Sequence, residues 1–147
     1  MSALMYFAFT PWSSAMRAVK WGRIISIASA HGLTASPFKS AYVAAKHGIV
    51  GFTKSIALET ATSGITVNAI CPGWVLTPLV QKQVDARAAK EGVDDAEAKR
   101  RLLAEKQPSL RFTTPEQLGE LVLFLCSAAA DNVTGVAWNV DGGWTAQ

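Results

Sequence analysis

GRIISIASAHG, residues 22–32, sets Ile24, Ile25 and Ile27 between a glycine and a loop of small polar residues. Branched side chains suit a pleated strand, and an apolar run without strict alternation belongs to a strand buried on both faces. The pattern returns in ITVNAICPG, residues 65–73, where Ile65, Val67, Ala69 and Ile70 lie between Gly64 and Pro72, and again over 136–140. Between the first two runs, from 40 to 62, Tyr42, Ala45, Ile49, Phe52, Ile56 and Ala57 recur at helical spacings. Thr114, Pro115 and Gln117 supply a cap, a first-turn proline and a capping-box amide for another helix. Buried strands alternating with helices predict an α/β fold, a doubly wound parallel sheet of about three strands with flanking helices.

The bulk figures agree with one globular unit. Of 147 residues 50% are hydrophobic and 17% charged, with 11 Gly and 6 Pro and no repeat, which excludes collagen, coiled coil, solenoid and disordered tail. The net charge of +3 is spread without a basic run, so no nucleic-acid partner is expected. Cys71 and Cys126 match no metal or redox spacing and read as two small buried hydrophobes in a reducing compartment. In the opening MSALMYFAFTPWSSAM no Lys or Arg precedes the apolar part and Pro11 breaks it, unlike a secretory leader. The run 121–130 is about half of what a bilayer span needs, so the expectation is a soluble, cytoplasmic protein without membrane contact. Residues 81–106 carry about half of all charged side chains, in mixed sign, with a break at Gly92–Asp95. Two short helices with a solvated face are expected there, a mobile lid being the other reading.

Tyr42 and Lys46 stand four apart on the long helix, hence on one face. Alone, such a pair recurs by chance. Ser29, at the end of the first strand, adds position to spacing, because open α/β sheets bind ligands at strand ends. An ammonium close to a phenol favours the phenolate, and Lys46 can supply that charge. A serine hydroxyl can hold a substrate oxygen while the tyrosine moves its proton. This is alcohol and ketone chemistry, and the hydride it requires needs a carrier that no side chain provides.

GRIISIASAHG, AYVAAKHG, NAICPGWVLTP and VDGGW together resemble the second half of the short-chain dehydrogenase/reductase family, from Gly22 almost to the end of the chain. The resemblance implies a Rossmann-like sheet, with Ser29, Tyr42 and Lys46 catalytic. It implies Pro72, Gly73, Val75 and Thr77 beside the nicotinamide, together with Tyr42 and Lys46, and a structural role for Asn68. Within the family, SAHGLTASPFKSAYVAAKHG, PGWVLTPLVQKQV, EKQPSLRF and DGGWTAQ are similar to the branch whose members oxidise D-3-hydroxybutyrate to acetoacetate. That similarity implies His31, Lys39 and Gln83 on the substrate carboxylate, Trp74 and Trp144 walling the pocket, NAD as cofactor with NADP left open, no metal, and a homo-oligomer. Singly, His31 reads as a loop histidine, Lys39 as a solvated lysine, Gln83 as a surface amide and Trp144 as a packing residue at a subunit contact. Their joint occurrence favours a small hydroxy or keto acid substrate.

No G-x-x-x-G-x-G or G-x-G-x-x-G occurs in the 147 residues. The resemblance therefore implies the catalytic and substrate part of a single domain over 1–147, without its dinucleotide-binding half. Met1 stands where the family's helix asparagine would fall. As such a truncated chain the protein is expected to be inactive by itself and to associate. The competing expectations are a reductase of 3-oxoacyl thioesters in the same family, and a non-catalytic fragment that keeps the oligomerisation surface.

Overall fold

Strand β1, Gly22–Ile27, pairs in parallel with β2, Ile65–Pro72, and β2 pairs in parallel with β3, Ala137–Val140, giving the order β1-β2-β3. The computed structural model describes residues 14–146. Expectations placed on positions 1–13, the opening segment and Met1 among them, lie outside the described residues, while 14–18 are helical.

Every residue of β2 is buried, and its period of two divides the core into two layers. Ile65, Val67, Ala69 and Cys71 face helix α1, Ser40–Thr60, where Val50, Ile56 and Ala57 meet them. Ile70 faces the opposite way, with Ile25, Trp138 and Val140, onto Leu118, Leu121, Val122 and Leu125 of helix α4, Pro115–Cys126. Helices on both faces of a parallel sheet are the arrangement the double-sided apolar strands demand. Asn68 lies on the α4 side, where hydrocarbon would be the rule. Its Nδ2 donates to Val133 O at 2.7 Å and its Oδ1 accepts from Val136 N at 3.2 Å, stitching β2 to the approach of β3.

Local signals explain the ends. Thr114 Oγ1 accepts from Gln117 N at 3.2 Å and Gln117 Oε1 accepts from Thr114 N at 3.0 Å, the expected capping box. Helix α1 stops two residues short of the expected 62, at Thr60. Gly64, at φ +72°, then turns the chain into β2. The break at 92–95 separates helices α2, Pro78–Glu91, and α3, Asp95–Ala104. Gly92 is left-handed at φ 64°, and Asp94 caps α3 by accepting from Glu97 N. Val80, Val84, Ala98 and Leu102 give this hairpin its own apolar seam with Trp74 and Phe112. Its outer surface carries ion pairs, and Arg100 and Arg101 hold the Glu97 carboxyl down at about 2.

One expectation needs correcting. Cys71 is buried but Cys126 is exposed. Cys126 follows Leu125 by one residue, about 100° round the helix, and this turns it away from the sheet towards the side of Leu123, 64% exposed. No helix among the described residues is long and apolar enough to cross a membrane.

Candidate active site

The C-terminal ends of β1 and β2 open into a cleft of about 550 Å³, flanked by the start of α1 and by α2. Open parallel sheets place ligands at this edge. All twelve positions singled out in the sequence line it: Ser29, His31, Lys39, Tyr42, Lys46, Pro72, Gly73, Trp74, Val75, Thr77, Gln83 and Trp144.

Ser29 follows β1 in extended conformation, and its Oγ accepts from His31 N at 3.2 Å, capping the single turn Ala30–Gly32. The cap uses a lone pair and leaves the hydroxyl proton free to donate. Tyr42 stands near the start of α1, half exposed into the cleft. One turn later the Lys46 ammonium lies 5.6 Å from the Tyr42 ring centroid and donates to Ile27 O at 3.0 Å. The last carbonyl of β1 thus holds the lysine against the phenol.

The rest of the lining includes aromatic and basic side chains. Trp74 and Trp144 lie with ring centroids 6.1 Å apart, and His31 sets its ring edge to face against Trp144 at 5.0 Å and Tyr42 at 5.7 Å. Lys39 Nζ stands 5.8 Å from the Trp74 ring centroid, a cation over a π face. Buried His31 is held below its ordinary value of 6.5, first by desolvation and then by the charges of Lys39 and Lys106. Among the described residues no Asp or Glu lines the cleft, and the charged side chains that do are Lys39 and Lys46.

The loop after β2 is held from outside. A Cβ at Gly73 would stand 2.4 Å from Gln107 Oε1 and 2.9 Å from Asp141 Cα, so only glycine fits there. Trp74 N donates to Gln107 Oε1 at 2.9 Å, and Thr77 caps α2 by accepting from Val80 N. Asp141 accepts from Gly143 N and Thr145 N at 3.0 Å each, turning the chain so that Trp144 enters the cleft, where it is buried. Sequence reading missed Gln107, Asp141, Ser36 and Lys106. Gln107 and Lys106 sit inside EKQPSLRF and Asp141 inside VDGGW, where Pro108 and the glycines mark turns but name no partner. Among the described residues no cluster of His, Cys, Asp and Glu could hold a metal ion.

The family described as Enoyl-(Acyl carrier protein) reductase matches residues 3–145. D-beta-hydroxybutyrate dehydrogenase of Cupriavidus necator is 67% identical over 132 residues, 90% of this chain and 51% of that protein. Its namesake in Rhizobium meliloti is 55% identical over the same shares. The structure of L-sorbose reductase from Gluconobacter frateurii, complexed with NADPH and L-sorbose, superposes with a TM-score of 0.85 at 32% identity, over 92% of this chain and 51% of that one. The chain spans about half the length of the curated relatives it matches. It belongs to the short-chain dehydrogenase/reductase family.

Proposed function

We propose that these residues form the catalytic and substrate half of a nicotinamide-dependent dehydrogenase that oxidises D-3-hydroxybutyrate to acetoacetate, reversibly. One observation carries the reading. The cleft gathers Ser29, Tyr42 and Lys46 with Lys39 and neutral His31, and among the described residues no Asp or Glu lines it. A small acid with a hydroxyl two carbons from its carboxylate has the two groups such a cleft can hold. The carboxylate meets Lys39, His31 and Gln83, while the hydroxyl lies between Ser29 and Tyr42. Trp74 and Trp144 limit chain length. The relatives named for hydroxybutyrate support this choice, and a thioester would leave the Lys39 charge without a partner.

Ser29 donates its free hydroxyl proton to the substrate oxygen. Tyr42 takes the proton that leaves this oxygen onto its phenolate oxygen, whose negative charge the Lys46 ammonium balances. A bound nicotinamide supplies the hydride chemistry. Pro72, Gly73, Val75 and Thr77, which line the same cleft as Tyr42 and Lys46, would hold its ring. NAD is the proposed form. This sequence holds no glycine-rich pyrophosphate turn, so the proposal concerns the nicotinamide end alone.

The test joins this chain to the first half of the Cupriavidus necator relative. D-3-hydroxybutyrate should reduce NAD in that hybrid while its L isomer and 3-oxoacyl thioesters give far lower rates. Preference for a thioester would overturn the reading.

A further inference from the structure

Lys106 lies outside the cleft lining, 75 positions beyond His31 in the chain, yet the two meet through one hydroxyl. Lys106 Nζ donates to Ser36 Oγ at 3.2 Å, and Ser36 Oγ stands 2.9 Å from His31 Nε2. An ammonium has three donors and no acceptor, so towards Ser36 it can only donate. The single hydroxyl proton of Ser36 is then free for His31: with Nε2 accepting it the hydroxyl both donates and accepts, whereas a proton on Nε2 would leave the hydroxyl proton without a partner among the described residues. An imidazole that accepts at Nε2 and is neutral carries its own proton on Nδ1. That nitrogen has no hydrogen-bond partner among the described residues, and it is not one of the sealed buried atoms left without one. The same ammonium lies 5.7 Å from the Trp144 ring centroid, which keeps it beside the aromatic wall.

We infer that Lys106 is a positioning residue: acting through Ser36, it fixes His31 as the tautomer protonated at Nδ1, so that the cleft offers a carboxylate a neutral N–H donor beside Lys39. The inference rests on the proposed function for its carboxylate and deepens it. A charged His31 between Lys39 and Lys106 would repel both. The neutral ring adds a directed hydrogen bond without adding a third charge, and burial together with the two lysines favours that neutral state.

Tautomers are read directly by long-range proton–nitrogen correlation on histidine-labelled chain, with no substrate present, at roughly pH 8, where imidazoles are neutral. The chain has two histidines. His47 provides an internal reference, since its Nδ1 lies 3.0 Å from Val43 O, an atom that only accepts; a His47→Gln variant assigns the signals. The expected result is a single His31 species, protonated at Nδ1 and bare at Nε2, which turns into a mixture in Lys106→Met and independently in Ser36→Ala. A proton on Nε2 in the parent chain would overturn the inference. So would an unchanged single tautomer in either variant that folds. Because nothing is bound in the measurement, failure of the hydroxy acid reading shows in the hybrid assay and failure of the tautomer shows here.

Discussion

Tyr42 and His31 touch edge to face at 5.7 Å, yet a substitution at each should leave a different trace. Tyr42→Phe keeps the ring that packs against His31 and removes the only phenol that lines the cleft among the described residues. General acid–base groups typically contribute about 10²–10⁴-fold, so in the hybrid kcat should fall by at least ~10² while cofactor binding holds. Activity within tenfold of the parent would contradict the assignment. His31 makes a prediction about pH. Its folded value lies below the ordinary 6.5, so below that pH the unfolded chain takes up a proton that the folded site resists. Stability should be fully present above 6.5 and decline as the solution becomes more acid. Thermal unfolding followed from pH 8 to pH 5 should show a steeper fall in Tm for the parent than for His31→Asn. Equal slopes would mean that the imidazole titrates freely.

At the scale of elements the loop after β2 is the sharpest test. Gly73→Ala forces a methyl onto backbone at Asp141 and onto the Gln107 amide that holds Trp74. Overpacking of this kind costs about 1–3 kcal/mol, and urea unfolding should register that loss. A neutral result would show the loop to be slack. Thr114→Ala removes the acceptor of the α4 capping box and should cost about 1 kcal/mol by the same measurement. Such elements were legible in the sequence because their signals are local. Three isoleucines in four positions mark β1, Thr-Pro-Glu-Gln marks the start of α4, and Gly92 with Asp94 marks the hairpin. Cys126 was misread because LVLFLC is apolar all round and does not say which side meets the sheet. Lys106 and Asp141 were illegible for a different reason. Both act through partners, Ser36 in one case and backbone amides in the other, that come near only once the sheet and its loops have closed.

For the whole molecule the sheet border matters most. β1 pairs with β2 on one side and with no strand among the described residues on the other, and Ile27 is 51% exposed. An open edge beside apolar surface invites pairing with another chain. The polypeptide of this sequence should therefore sediment as oligomers whose proportion grows with concentration, and should show negligible dehydrogenase activity alone. A monodisperse monomer that reduces NAD with 3-hydroxybutyrate would contradict both statements. The proposed function turns on charge, a substrate carboxylate held in the cleft. It is tested most directly by the ratio of kcat/KM for D-3-hydroxybutyrate to that for its neutral amide in the hybrid enzyme. A hydrogen bond to a charged group is worth about 1.5–3 kcal/mol, or roughly 10- to 150-fold, so the acid should be preferred by at least tenfold, and Lys39→Met should erase most of that preference. Equal turnover of acid and amide would contradict the account.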